Sequence, residues 1–402
     1  MAWWRWNSVP KLSESGFFGA FFGQGTYTGR SVDPEKALTI DSVWACTKLL
    51  SETLGTLPCL VLEQGTNKPA VDHPYFELLH DMPNLDMTSV EYWEAVGMGL
   101  CLFGNAYSEK IMRPDGRVAA LNLLQPGSIT VDRDRAGRRV YLETTGSGKT
   151  RTLSEDRIFH VRGMSFGGDT GLSPVEYGRH TMAATMATEE TSGRLFGNGM
   201  AASGVLTSDQ LLTAKQRADL KAIMETYVGS SNAGKLMILE AGLKYQQLVM
   251  DPQKAQMLEV RQYQVEQICR WFGVPSIMIG HHASGGTTWG SGVEQIMLAF
   301  SKQGMRSLCK RVEAAIRRDL LTPEDRKRIT VKFNMDGLLR GDSASRAAFL
   351  STMVNVGIMT RNEARGHENL PAKAGGDDLT VQSAMLPIQK LGAALPAPSP
   401  QG

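Results

Sequence analysis

From Ser173 to Gly199 the chain reads as one helix whose middle, Thr181 to Gly193, is mostly Ala, Thr, Met, Glu and Ser. Ser173, Pro174 and Glu176 supply an N-cap, a first-turn proline and a capping box, and Gly197-Asn198-Gly199 ends it. Side chains this small and mixed cannot build a wide apolar stripe, so the helix is suited to close packing against identical neighbours. A second long helix starts at Asp251-Pro252, with Leu258, Val265, Ile268, Cys269 and Phe272 on one side, and stops at Gly273 and Pro275. Between the two lies a small α/β excursion: a strand near Val205, a helix from Ser208 to Tyr227, and strands near Leu236 to Leu239 and Tyr245 to Val249. A chain that leaves by one long helix and returns by another carries whatever lies between to one end of the molecule.

The flanking regions mix both periodicities. A helix from Ser42 to about Leu54 places Val43, Cys46, Leu49, Leu50 and Leu54 on one face and is closed by Pro58. Another begins at Thr88 with Glu91 as a capping box, turns Trp93, Val96, Leu100 and Phe103 inward, and ends at Gly104-Asn105. From Ala106 to Gly163 short alternating runs are separated by turn residues, the pattern of an antiparallel sheet. A long helix over 293–320, about 40 Å at 1.5 Å per residue, precedes a strand at Ile329 to Phe333. Helices follow from Asp342 to Val356 and from Thr360, capped with Glu363. The fold class is α+β, and the Ala, Pro and Gly content beyond Pro371 predicts a flexible tail.

Several function classes are excluded early. A formal net charge of +2 lacks the basic excess of a tight, immobile nucleic-acid binder. Cys46, Cys59, Cys101, Cys269 and Cys309 are odd in number and form no CxxC pair, so buried free thiols in a reducing compartment are expected. No apolar run approaches the roughly 20 residues that span a bilayer, and the start lacks a secretory layout. Trp3, Trp4 and Trp6 with Phe17, Phe18, Phe21 and Phe22 form an aromatic arm; glycines at 16, 19, 23 and 25 break any helical face, which favours docking on a partner subunit over membrane anchoring.

Four motifs suggest chemistry and fail on context. Gly146-Ser147-Gly148-Lys149-Thr150 resembles the end of a phosphate-binding loop, but Glu143 occupies the place of its first glycine and no helix signal follows, leaving a hairpin turn. Gly163-Met164-Ser165-Phe166-Gly167 matches a nucleophile elbow followed by a loop instead of a helix. His281-His282 has no further ligand at metal spacing, so no metal and no cofactor are expected. Arg340-Gly341-Asp342 reads as a strand-to-helix connection with Asp342 as N-cap. The densest basic tract comprises Lys302, Arg306, Lys310, Arg311, Arg317, Arg318, Arg326, Lys327 and Arg328, a solvated helix face from which Lys302, Arg306 and Lys310 could contact phosphates.

Taken in order, several stretches resemble the portal family of lambda-like, long-tailed phages over about residues 38 to 378. They are Val43-Trp44-Ala45-Cys46 with Leu57-Pro58, Gly104-Asn105-Ala106-Tyr107, Ile158-Phe159-His160, Gly171-Leu172-Ser173-Pro174, and Phe272-Gly273-Val274-Pro275 with Ile279-Gly280. Asp336-Gly337-Leu338-Leu339-Arg340-Gly341-Asp342 and Asn362-Glu363-Ala364-Arg365 complete the series. The resemblance implies a non-enzymatic subunit of a homo-dodecameric ring around a DNA channel at the capsid vertex, serving packaging, retention and ejection. It implies a flexible arm (1–34), a wing (35–173 with the long helix and strand of 293–341), stem helices (174–199 and 252–279), a clip (200–251), a tunnel loop (280–292), a short crown (342–375) and a flexible tail (376–402).

By the same resemblance His281, His282, Ser284, Gly285, Gly286, Thr287, Thr288 and Trp289 face DNA, and Lys215, Arg217 and Lys221 of the clip dock the packaging motor and later the adaptor. The implied partners are double-stranded DNA, the major capsid protein, the terminase large subunit and a head-tail adaptor, in the virion after assembly in the host cytoplasm, with no membrane. A near-neutral charge suits such a channel, since fixed phosphate contacts would hinder translocation. Two alternatives remain: a nucleotide hydrolase using Gly148-Lys149-Thr150, and a head-tail structural adaptor that never touches DNA.

Overall fold

The structure is a computed structural model and describes residues 26–146, 148–197, 204–208, 213–216, 218, 243–247, 253–281, 291–335, 343–368 and 370–380. It divides into two units, 1–335 and 336–402.

The first unit is built on α1 (Asp41–Thr56) and α2 (Ser89–Phe103). Val43, Cys46, Leu50 and Leu54 of α1 and Tyr92, Trp93, Val96 and Leu100 of α2 are buried. The axes approach closely because a Cβ on Gly97 would lie 2.9 Å from Ser51 Cα. The expected capping box at Thr88 and Glu91 is present, and Gly104 ends α2 in the left-handed region at φ 69°. Before α2 comes β1 (Cys59–Glu63), and late in the chain β10 (Ile329–Phe333) pairs with it antiparallel, Cys59 opposite Phe333. The sequence reading assigned no strand at β1, a five-residue run whose partner is far away in the chain.

Between α2 and the first stem helix the antiparallel region splits into two three-stranded sheets. β2 (Asn105–Met112), β3 (Val118–Leu124) and β7 (Ile158–Arg162) form one in the order β3-β2-β7. β4 (Ile129–Arg133), β5 (Arg139–Thr144) and β6 (Thr150–Ser154) form the other. Tyr107, Leu124, Tyr141, Leu153 and Ile158 pack into one cluster that joins them.

The helix expected from Ser173 starts there, Ser173 Oγ accepting from Glu176 N at 3.1 Å, but it is not continuous: Pro174–Tyr177 is one turn, and α3 runs Arg179–Gly197. The break falls at Gly178, where the Trp271 ring lies 3.3 Å from where a Cβ would be. β8 (Gly204–Ser208) and β9 (Leu243–Gln247) pair antiparallel, and α4 (Gln253–Phe272) returns. Ser208 thus ends a strand instead of opening a helix. The helical turn that follows is capped at Thr213, whose N and Oγ1 donate to Gln216 Oε1 at 2.9 Å, a T-x-x-Q box that the reading overlooked. The strand expected at Leu236 to Leu239 lies outside the described residues.

The long helix expected over 293–320 is α5 (Ser291–Ala299) and α6 (Arg306–Asp319), joined by a wider π-helical turn, Phe300–Met305. Buried Phe300 folds over Gly304, its ring 3.2 Å from a Cβ there, and the extra residue in the turn makes that room. All five cysteines are free and buried, and burial pushes the Cys101 and Cys309 thiols up to about 12.

The second unit holds α7 (Ser343–Asn355) and α8 (Arg361–His367), the latter with the expected Thr360–Glu363 capping box. The chain beyond Pro371 is not loose at once. Asn362 Nδ2 donates to Lys373 O and Asp377 Oδ1, both at 2.9 Å, and Asn362 Oδ1 accepts from Lys373 N at 2.8 Å, folding 371–377 back on α8.

Candidate functional site

Three stretches far apart in sequence meet where the sheets end and the stem starts. Gly163 N donates to Gly104 O at 2.8 Å, a Cβ on Gly171 would lie 2.1 Å from Gly104 O, and one on Gly104 would lie 2.1 Å from Leu172 O. Only hydrogen fits at either position. Asn105 fills the gap beside them with its whole amide. Its Oδ1 accepts from Gly171 N at 2.7 Å and lies 3.0 Å from His160 Nε2, and its Nδ2 donates to Gly171 O and Phe103 O, each at 3.0 Å.

His160 is buried, and that burial, helped by Arg162, Arg318 and Arg139, holds its imidazole well below the usual 6.5. A neutral ring fits its neighbours: Nε2–H donates to Asn105, and Nδ1, 3.2 Å from Tyr141 Oη, accepts. Ser173 Oγ completes the joint by donating to Leu102 O at 2.6 Å while capping the stem. The end of α2, strand β7 and the start of the stem are thereby fixed to one another. Sequence reasoning quoted these stretches without assigning them a role; the signal was a polar residue beside glycine inside otherwise buried strand.

Outside this joint, Asp169 accepts from Arg133 at 2.6 and 2.8 Å and from Arg139 at 2.8 Å, and the Arg133 bonds hold its carboxyl down at about 2. This clamps the loop that carries Ser165, whose Oγ accepts from Gly167 N at 3.4 Å, with no helix after it to form an elbow. Lys149 lies in the β5–β6 hairpin, its carbonyl accepting from Thr145 N at 2.9 Å, and Thr150 is already paired in β6.

The stem is held differently. Among the described residues, Gln264 Nε2 donates to Thr188 Oγ1 at 3.0 Å and Trp271 Nε1 to Thr181 Oγ1 at 3.4 Å between α4 and α3. Ile268, Cys269 and Phe272 are buried as expected, but Val260 and Tyr263 on another face are 47% and 51% exposed. That outward stripe went unread because the buried stripe accounts for the helix by itself.

The expected DNA-contacting residues fall into three groups. His281 is described: its N donates to Ser276 O at 3.0 Å, and it lines a cleft with Asp41, Ser42, Ala45 and Val265. His282, Ser284, Gly285, Gly286, Thr287, Thr288 and Trp289 lie outside the described residues, between the end of α4 and α5. Lys302, Arg306 and Lys310 are exposed at four-residue spacing through the π turn and α6. Lys310 pairs with Glu313; Lys302 and Arg306 show no ion pair among the described residues. The rest of the tract is partly structural: Arg311 donates to Gly163 O at 2.9 Å, Arg318 to His160 O at 2.7 Å and Arg326 to Arg318 O at 2.7 Å. In the excursion Lys215 is exposed, while Arg217 and Lys221 lie outside the described residues, as does Arg340-Gly341-Asp342. Among the described residues no acid, histidine or thiol group is arranged to hold a metal, and no helix is long and apolar enough to cross a membrane.

A family model described as phage portal protein matches residues 41–369. The portal protein of Enterobacteria phage HK97 is 35% identical over 396 residues, covering 97% of this chain and 93% of its own. A probable portal protein of Streptomyces phage phiC31 is 29% identical over 364 residues, 85% of this chain and 77% of its own. Among solved structures, a chain in the neck of a native gene transfer agent particle computed with C12 symmetry shares the fold at a TM-score of 0.58 and 23% identity, covering 89% of this chain and all of that one.

Proposed function

The chain belongs to the phage portal protein family, and from that premise we propose that it is one subunit of a homo-dodecameric ring whose channel passes double-stranded DNA into, and later out of, a viral capsid. The observation that carries the ring is the pair of long helices: a small-residue α3 beside an α4 that leaves Val260 and Tyr263 exposed, a face that a neighbouring copy would cover. The count agrees with the related neck particle, which was computed with C12 symmetry.

On this reading His281, His282 and residues 284–289 face DNA in the channel, with Lys302 and Arg306 placed to meet phosphate. The excursion between α3 and α4, with Lys215, Arg217 and Lys221, meets the packaging motor and then the adaptor, while other surfaces meet the major capsid protein. Assembly takes place in the host cytoplasm and the finished ring stays in the virion. No catalytic step is part of the reading, since Lys149 sits in a hairpin turn and Ser165 in a clamped loop.

Electron microscopy of the purified protein tests it: rings with a lumen wide enough for a duplex are expected, and a monodisperse monomer at high concentration would refute the ring. In packaging assays Gly285→Pro with Gly286→Pro is expected to impair packaging or retention of DNA. A stiffened ring that packages and retains like the wild type removes the loop from the channel's working parts.

A further inference from the structure

Beside the joint lies an apolar groove of about 390 Å³. Met164 and Phe166, 65% and 71% exposed, line it together with Leu172, Pro174, Trp271 and Leu308. Apolar side chains left this open on a structural subunit call for a cover. Where the described chain begins indicates what supplies it. Tyr27 stacks on His180 with ring centroids 4.3 Å apart, and Arg30 pairs with Glu190 further along α3. His180 follows Tyr177, which lines the groove, by three residues, and Thr181 accepts from the groove's Trp271. The contact nearest the start of the chain is therefore at the groove end of α3.

Residues 1–25 lie outside the described residues and carry Phe17, Phe18, Phe21 and Phe22, the last only four residues before Thr26. At about 3.3 Å per residue the segment from Thr26 back to Phe17 spans up to about 30 Å, enough to reach along the recess. We propose that the Phe17–Phe22 segment seats its aromatic rings in this groove of its own chain, closing the apolar recess between Met164, Phe166 and Trp271. The glycines at 16, 19 and 23 suit an extended segment that lies in a groove. Such a strap would tie the start of the chain to the joint that aims the stem, and it commits the arm to its own subunit instead of a neighbour.

Two measurements on the full chain decide it. A photoreactive benzoylphenylalanine at Leu308 is introduced in protein assembled from equal amounts of light and heavy isotope-labelled chains, and adducts are mapped by mass spectrometry. Adducts to residues 17–22 within chains of one label are expected; mixed-label adducts would mean a neighbour's arm fills the groove, and an absence of adducts to residues 1–25 would mean another occupant or none. Either overturns the proposal. In parallel, replacing Phe17, Phe18, Phe21 and Phe22 by serine is expected to raise the peroxide oxidation rate of Met164 roughly fivefold or more, with Met112 as an unaffected internal standard. An unchanged Met164 rate contradicts the strap. Sedimentation of the same samples reports ring formation separately, so failure of the strap and failure of the ring reading are distinguishable.

Discussion

The joint and the stem use opposite ways of being stable. At the joint, Asn105 satisfies all its amide positions, His160 is neutral between two partners, and glycines close to contacts that admit no side chain. Between α3 and α4, by contrast, two side-chain hydrogen bonds are seen among the described residues, and Val260 and Tyr263 are left open. On the proposed ring reading, the difference teaches that the joint and its sheets are complete in one chain, whereas α3 and α4 have packing capacity left for other copies. A ring subunit needs both: a rigid part that sets the angle of the stem, and a stem whose remaining contacts lie between subunits.

The largest expected effect lies at the joint. Gly171→Ala places a methyl 2.1 Å from Gly104 O and should cost at least about 3 kcal/mol, read as failure to fold or a large fall in melting temperature. A variant that melts with the wild type would break the idea that the joint is over-determined. Next, Asn105→Ala should cost about 2 kcal/mol in chemical denaturation, because Gly171 N and O and His160 Nε2 lose buried partners together. A smaller change would mean that water substitutes there.

Asp169→Asn is expected to cost on the order of 1 kcal/mol at neutral pH, a modest figure because Arg133 is half exposed. The carboxyl is held at about 2 when folded against 3.8 ordinarily, so its contribution is present above about 4 and disappears as pH falls through 2. Denaturation curves of variant and wild type should therefore converge at acid pH, and a constant offset would contradict the assignment. The smallest effect on the single chain belongs to the stem: Tyr263→Asp should change its stability by only about 0.5 kcal/mol, the cost of a poorer helix former, while abolishing rings. Intact rings in that variant would locate the interface elsewhere.

Much of the fold was legible in the sequence for local reasons. Thr88 with Glu91, Ser173 with Glu176 and Thr360 with Glu363 declare helix starts within four residues. β1 was not legible, because its pairing with β10 is set by contacts between distant stretches, and neither was the split at Gly178, which answers to Trp271 across the stem. The π turn at Phe300–Met305 escaped because apolar spacing shifted by one residue still reads as a helix. At the functional level, the motif stretches identified the family, but their convergence on Asn105 and His160 is a three-dimensional fact. The exposed stripe of α4 was masked by the buried stripe on the same helix, which satisfies the expected periodicity by itself.

Hydrogen–deuterium exchange on wild-type rings and on the Tyr263→Asp subunit tests the contrast most directly. Amides of β2, β7 and α2 should be equally protected in both, while those of α3 and α4 should gain protection only in the ring. Equal protection of α3 and α4 in the lone subunit, or a wing that becomes protected only on assembly, would contradict the account.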